Sequence, residues 1–298
     1  MEKNKFSIIM NCYNGSKYLN FAVNSIISQT YKKWEIIFWD NASTDDSLEL
    51  IKKFTDSRIK IYQSKNHTNL STARNNAINK SNGEFISFLD VDDEWLPNKL
   101  ERYFDIYKNM NINIIHSNYF IYHSIKKKKW VKNKFIVPSG MITHQLLNSY
   151  NVGLLTLSFR KKITINNNKN IFNPKFHLIG DLDLVIRLSI KNFIYYEKIP
   201  TAIYRIHQHN ETSSKNKLMV HELEYFKNSF ILKKFNNQKK IIRNFNSNIN
   251  YIKGKDYLLN GNKNSLKKCL KKMHFGSLKI KLIIGKLIPF KFLSKFIS

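Results

Sequence analysis

Short apolar runs recur along the first third of the chain, and each ends abruptly in a polar cluster. Phe6–Met10, Trp34–Trp39, Ile59–Tyr62 and Phe85–Leu89 read as buried strands. Between them the period changes to that of a helix. Tyr18–Thr30 carries apolar residues at 18, 19, 21, 22, 23, 26 and 27, and Ser47–Phe54 and Thr72–Asn79 continue the alternation. Ser43 or Thr44 is placed to cap the helix from Ser47, and Pro97 suits the first turn of a helix after the fourth strand. Strands and helices alternating at this spacing predict a doubly wound, mainly parallel sheet flanked by helices. Such sheets bind ligands beyond the carboxyl ends of their strands. Three polar clusters lie at those ends: Asn11–Gly15, Asp40–Asp45 and Asp90–Asp93. No GxGxxG or GxxxxGK[ST] string is present, which disfavours a dehydrogenase-type dinucleotide fold and a P-loop.

After Asp105 the pattern loosens. Ile112–Tyr122 reads as a strand, Gly140–Tyr150 as a short helix and Leu154–Arg160 as another strand, while the lysines at 126–129 suit a solvated loop. In Gly180-Asp181-Leu182-Asp183-Leu184-Val185-Ile186-Arg187, helical character begins at Asp183. Local chemistry gives Asp181 a capping position at the helix entrance and pairs Asp183 with Arg187 one turn on. Ala202-Ile203 is strand-like and leads into Tyr204-Arg205-Ile206-His207. Leu218–Phe235 and Tyr251–Met273 read as amphipathic helices.

Charge sharpens this division. The chain has 298 residues and a formal charge of +29, yet residues 1–100 hold 13 basic and 12 acidic side chains. Residues 212–298 hold 20 basic and 3 acidic ones. Such an excess suits a polyanionic partner: nucleic acid, an anionic membrane surface or phosphorylated substrates. An overall richness in Lys, Asn and Ile also points to compositional drift. The stretch from Ser277 is apolar with a lysine every few residues. It is too interrupted to span a bilayer, and suits either a membrane surface, lysines among anionic headgroups, or a helix packed on the rest of the protein. Cys12 and Cys269 show no metal or redox spacing and read as free thiols of a reducing compartment. No signal-length apolar segment opens the chain, so the expected location is cytoplasmic, peripheral at the inner face of the membrane.

Candidate chemistry centres on Asp90, Asp92 and Asp93. Three carboxylates beside a buried strand need a positive partner, and a divalent cation bridging phosphate oxygens would supply one.

Four segments, SIIMNCYNGSKYL, WEIIFWDNASTDDS, LSTARNNAI and FISFLDVDDEWLPNKL, stand in an order and at separations that closely resemble family 2 glycosyltransferases with the GT-A fold. The resemblance is tight over residues 6–100, looser to about 210, and then fades. It implies that Tyr13 and Asn14 lie near a nucleobase and that Asp40 accepts from the base ring N–H, as a carboxylate at a strand end can. Arg74 would face the base or diphosphate. Asp90 and Asp92 match the DxD pair, with Asp92 contacting Mg²⁺ or Mn²⁺. Asp181 would be the catalytic base, and His207, with His209 as fallback, would reach the diphosphate or its metal. The chain departs from the family pattern at Asn41, where a second acid is commoner, at Asn69, often glycine, and at Gly180, often glutamate.

These readings give a GT-A-type α/β domain over residues 1–215. Residues 1–100 form its nucleotide-sugar half and 101–215 its acceptor half, with a basic helical extension over 216–298. The expected activity is inverting hexose transfer from a nucleotide-diphosphate sugar, a UDP-sugar in the first instance, to a hydroxyl of a bacterial surface glycan or lipid-linked oligosaccharide. The rivals are a nucleic-acid-binding protein and an inactive scaffold of glycan assembly. Against the first, basic residues are scarce around the expected crevice and no helix-turn-helix, zinc-finger or RNP-like pattern is present, so no nucleic acid is expected as a partner. Against the second, Asp40, Asp92 and Asp181 are all in place.

Overall fold

The computed structural model describes residues 1–135, 137–164, 170–208, 210, 215–274 and 276–288. The chain divides into two compact units, Met1–Thr143 with Asn151–Gln208, and His144–Tyr150 with His209–Ser298.

In the first unit the predicted alternation is realised. β1 (Glu2–Cys12), β2 (Trp34–Asp40), β3 (Ile59–Gln63) and β4 (Gly83–Phe88) are joined through helices α1 (Ser16–Ile27), α2 (Ser47–Lys52) and α3 (Leu70–Asn79). β4, β1, β2 and β3 are neighbours in that order, all parallel, with Phe6 beside Trp34 and Phe85. After β4 come β5 (Glu94–Trp95), α4 (Lys99–Asn109), β6 (Ile114–Ser117), β7 (Phe120–His123), β8 (Lys128–Val131), β9 (Ser158–Arg160), α6 (Gly180–Ser189), β10 (Ile194–Glu197) and β11 (Ala202–Ile206). β9 inserts antiparallel between β4 and β6, and β10 runs parallel to β6, which completes a seven-stranded sheet of order β10-β6-β9-β4-β1-β2-β3.

The single strand expected over Ile112–Tyr122 is two. β6 joins the large sheet, whereas β7 enters a second sheet of order β5-β11-β7-β8. The break falls at Asn118, whose side-chain oxygen accepts from the backbone N–H groups of Tyr119 and Asn133 and so turns the chain between sheets. The strand expected over Leu154–Arg160 begins as a turn of 3₁₀-helix, Leu154–Thr156, before β9.

Apolar side chains fill the core on both faces of the large sheet. Phe6, Phe85 and Tyr107 stack within 4.3–6.3 Å of one another, and Leu19, Val23 and Ile26 of α1 are fully buried. Lys99 is also fully buried, its ammonium 3.9 Å from the Tyr103 ring centre, and burial pushes its pKa well down.

His116 on β6 is equally buried, beside the Tyr196 ring at 5.0 Å. Burial first, and the charge of Lys99 second, lower its pKa to about 3. The unfolded chain binds a proton here near pH 6.5, whereas the native state does not until about pH 3. Stability therefore falls as pH drops below 6.5. Between pH 6.5 and 5 the His116 contribution to that loss is about 2 kcal/mol. Urea titrations at the two pH values should find it in the parent protein and not in His116→Phe; equal losses would rule out a buried, neutral imidazole.

The second unit gathers α5 (Thr143–Asn148, from His144 on), α7 (Asn216–Phe226), α8 (Lys239–Leu259), α9 (Lys263–Lys272) and α10 (Ser277–Gly285). α5 joins these helices through Asn148, which accepts side-chain hydrogen bonds from Asn244 and Asn248, both 2.9 Å, and through the His144 ring on Phe235. The helix expected over Leu218–Phe235 is interrupted by a π-helical turn, Lys227–Ile231. The one expected over Tyr251–Met273 is two, divided at Asn260-Gly261-Asn262, where Gly261 takes φ +68° and the Asn262 side chain caps α9 by accepting from Ser265 N–H. Among the described residues no helix is long and apolar enough to cross a membrane.

Candidate active site

β4 delivers Leu89 into the core and then releases three carboxylates in different directions. Asp90, with 38% of its side chain exposed, faces α3, where the Arg74 guanidinium nitrogen Nη2 stands 3.1 and 3.2 Å from its two oxygens. Arg74 is held by burial and by the Phe172 ring beneath it at 5.5 Å. Asp93 turns inward and accepts the Arg205 backbone N–H at 2.9 Å; burial first, then the Asp92 charge, raises its pKa well above the usual carboxylate range. Asp92 faces His207, Oδ2 to Nε2 2.9 Å.

That last contact joins residues 115 apart in sequence, and the second sheet produces it. β5, immediately after the acidic cluster, pairs antiparallel with β11 at Ala202–Trp95 and Ile203–Glu94. The chain leaving β11 is thereby brought back past Asp92. Arg205 and His207 are two residues apart, so along an extended chain they share a face. The Arg205 guanidinium donates to the Asp92 carbonyl at 3.1 Å, pairs with Glu94, and lies 5.0 Å from the Tyr18 ring, which itself stacks on His207 at 5.1 Å. Sequence reasoning chose the histidine and left out Arg205 and Tyr18. The two-residue spacing signals Arg205, whereas nothing in the pattern of α1 singles out Tyr18. His209 lies outside the described residues.

The other polar clusters meet at the ends of β1 and β2. Asn14 takes φ +53°, donates its N–H to Ser43 Oγ at 3.0 Å, and accepts from Thr44 N–H through its side-chain oxygen at 2.8 Å. Ser43 and Thr44 thus brace Asn14 and do not cap α2, whose N-cap residue is Asp46, without a side-chain hydrogen bond. Asp40 is fully buried, and its oxygens accept from Ser43 N–H at 3.2 and 3.4 Å. Asn41 is where the family pattern prefers an acid. Here the amide clamps the following loop, donating to Thr68 O at 2.7 Å and accepting from Thr68 Oγ1 at 2.9 Å. That clamp sets the His67 ring 4.0 Å from Tyr13, which is half exposed. Asn69, in place of the commoner glycine, caps α3 by accepting from Thr72 N–H at 2.8 Å, worth about 1 kcal/mol.

Asp181 does not cap α6. It lies in the first turn, and the N-cap residue is Ile179, without a side-chain hydrogen bond. Two features fix this turn. Asn75 of α3 is buried and exchanges hydrogen bonds of 2.8 Å in both directions with the Phe172 backbone. Gly180 then comes so close to α3 that a Cβ would sit 2.5 Å from Ser71 Oγ. Glycine at 180 is the steric condition for this approach. Gly180→Ala should lower activity by roughly tenfold through displacement of Asp181, and the added Ser71→Ala should restore most of it. A double variant no better than the single one would show that the close contact is not the cause.

The charges of Asp93 and Asp181 are both felt at one phenol. The Tyr119 phenol is raised by burial, then by Tyr204, and then by both Asp93 and Asp181. Asp183 points elsewhere, buried and held by Arg187 at 2.7 and 2.9 Å, the structural pair expected from the spacing.

The donor set fits a hard cation shared with a ligand. Among the described residues no three His, Cys, Asp or Glu side chains form a metal-binding group on their own. Asp92 and His207 offer one carboxylate and one imidazole, and Mg²⁺ ordinarily takes one or two protein carboxylates and completes its shell with phosphate oxygens and water.

A sequence model of glycosyl transferase family 2 matches residues 7–180, more than half the chain. The chain belongs to glycosyltransferase family 2. This family 2 transferase is 31% identical over 185 residues to UDP-Glc:α-D-GlcNAc-diphosphoundecaprenol β-1,3-glucosyltransferase WfgD of Escherichia coli, across 62% of this chain and 68% of WfgD. It is 28% identical over 224 residues to the Escherichia coli glucosyltransferase WfaP, whose name gives the same reaction, across 74% of this chain and 85% of WfaP. Among solved structures, residues 1–349 of S. aureus TarS with UDP-GlcNAc superpose with a TM-score of 0.64 at 17% identity, covering 98% of this chain and 88% of that one. The mannosyltransferase PcManGT of Pyrobaculum calidifontis, with GDP-Man and Mn²⁺, gives 0.62 at 12% identity, covering 98% and 83%. At these identities the structural likeness establishes the fold, a glycosyltransferase α/β sheet flanked by helices.

Proposed function

We propose that this family 2 transferase moves a hexose, with inversion, from a UDP-sugar to a hydroxyl of a lipid-linked bacterial surface glycan. The observation that carries the reading is the meeting of Arg74 with Asp90 and of His207 with Asp92 beyond the end of β4, in a chain of glycosyltransferase family 2. In this reading residues 1–215 are the catalytic domain and 216–298 a basic extension.

Asp181 takes the proton from the acceptor hydroxyl as it attacks the anomeric carbon, in a single displacement with no protein nucleophile. Asp92, with His207, would hold Mg²⁺ or Mn²⁺, which would supply charge stabilisation for the leaving group. Arg74 adds a fixed positive charge on the same side and is itself oriented by Asp90. Tyr13 offers a ring to the base, and Asn14 positions it by bracing the Ser43–Thr44 loop. Asp40 accepts the base N–H, which requires the groups that bury it here to move aside.

UDP and a diphosphate-lipid acceptor are favoured because the names of WfgD and WfaP specify both. Such an acceptor places the protein at the inner face of the cytoplasmic membrane. The test is a screen of sugar nucleotides for slow, cation-dependent hydrolysis, followed by transfer to a diphosphate-lipid acceptor. Release of UDP in the presence of Mn²⁺ or Mg²⁺, abolished by chelation, is expected. Tight, salt-sensitive DNA binding with no turnover of any sugar nucleotide would favour the nucleic-acid reading and overturn this one.

A further inference from the structure

The sequence left α10 with two destinies, a membrane surface or a packed helix, and the structure shows the packing. One stripe of α10 faces its own unit. Leu282 is fully buried against Gly254 of α8, where a Cβ would lie 2.5 Å from Leu282 Cδ1, and Leu278 packs on the same cluster of Leu258, Leu266 and Met273. A second stripe is left uncovered among the described residues. Ile280, Ile283, Ile284 and Leu287 stand at i, i+3, i+4 and i+7, the spacing of one continuous helical face, and are 39, 40, 44 and 79% exposed. Four large aliphatic side chains in a row are unusual on a surface that water alone covers.

The charge around this stripe indicates what covers it. Lys281 of α10 and Lys286, the residue that closes the helix, flank it. α9, packed in the same unit, exposes Lys263, Lys267, Lys268, Lys271 and Lys272. Lys281 stands close enough to Lys255 of α8 that, after burial, its charge helps lower the Lys255 pKa. Lysines set against lysines, beside an apolar stripe, match an anionic bilayer surface: headgroup phosphates answer the ammonium groups while the aliphatic chains enter the acyl boundary.

We propose that the Ile280–Leu287 stripe, on α10 and the turn that follows it, flanked by Lys281 and Lys286, is a docking face for anionic phospholipid bilayers. It deepens the membrane location given above by assigning the residues that make the contact, and it stands whether or not the sugar donor has been named correctly. α10 is anchored to α8 through Leu282, so the docking face is preformed and no helix has to leave the unit. A truncation after His274, the natural test from sequence alone, is unsuitable because it would uncover the α8 surface that Leu282 seals.

The test uses the full chain and exposed positions only. Its binding to vesicles of phosphatidylcholine alone, or with 30% phosphatidylglycerol, is measured by co-sedimentation. The triple variant Ile283→Ser, Ile284→Ser, Leu287→Ser and the pair Lys281→Gln, Lys286→Gln are compared with the parent. We expect binding to the anionic vesicles that weakens with salt and falls at least tenfold in the triple variant. The lysine pair should lose up to about 25-fold, at roughly fivefold per lysine near an anionic leaflet. Melting temperature and sugar-nucleotide hydrolysis should be unchanged in both variants, which separates a failure of docking from a failure of the catalytic assignment. Undiminished binding by the triple variant, equal binding to neutral vesicles, or no binding by the parent would overturn the proposal. A parent dimer that the triple variant dissociates would overturn it too, since a second copy would then be the occupant.

Discussion

Asp181→Asn should lower kcat by about 10²–10⁴-fold while donor binding stays near its parent value. The substitution keeps size and shape and removes the one property a base needs, the ability to accept a proton at neutral pH. Two structural facts make this outcome specific to Asp181. The residue sits in the first turn of α6 without serving as its cap, so the helix does not depend on the carboxylate as an N-cap. Its charge, like that of Asp93, also reaches the Tyr119 phenol, where both help to raise the pKa after burial and Tyr204. Asp183, two residues away, provides the contrast. Its carboxylate is buried and held by Arg187, so Asp183→Asn should lower stability by about 2 kcal/mol, between the limits for exposed and buried ion pairs. Steady-state kinetics with donor titration, read beside thermal melts, separates the two. If Asp183→Asn shows the kinetic defect with an intact fold while Asp181→Asn is active, the base assignment fails.

The parallel half of the sheet was legible in the sequence because β1, β2 and β4 are buried on both faces. Each is an apolar run that stops where the chain meets the ligand side. A strand was legible over Leu154–Arg160, but not its place antiparallel between β4 and β6, because the pairing of β9 is set by distant neighbours. Nor could local sequence separate β6 from β7. Both are apolar, and the change of sheet depends on the hydrogen bonds of one asparagine, Asn118. The same limit applies to the site. Asp90, Asp92 and Arg74 follow from motifs, whereas Tyr18, His67 and Arg205 are functional neighbours only because β5 pairs with β11 and Asn41 clamps Thr68. The departures from the family pattern at Asn41, Asn69 and Gly180 each have a local structural use: a loop clamp, a helix cap and a close helix approach.

The other large effect is expected at the cation site. Asp92→Asn should nearly abolish transfer, and the melting temperature should move by no more than about 4 °C, because a partly exposed pair is worth roughly 1 kcal/mol in a domain of this size. The three carboxylates after β4 have different partners. Asp93 is buried, and its Oδ1 accepts the Arg205 backbone N–H, so it is a structural group; Asp90 is engaged by Arg74. Asp92 pairs with His207 at 2.9 Å, and both keep part of their side-chain surface accessible, 28% and 12%. A carboxamide in place of the carboxylate keeps a hydrogen bond to the imidazole and loses the negative charge that a divalent cation requires. Stripping divalent ions with EDTA should have the same effect on the parent, and added Mn²⁺ or Mg²⁺ should restore activity in the parent and not in Asp92→Asn. Isothermal titration of Mn²⁺ with UDP present gives a readout independent of turnover, and the variant should lose at least tenfold in cation affinity. Full transfer in EDTA, or by Asp92→Asn, would remove the cation from the reaction and leave the guanidinium groups of Arg74 and Arg205 to stabilise the leaving diphosphate.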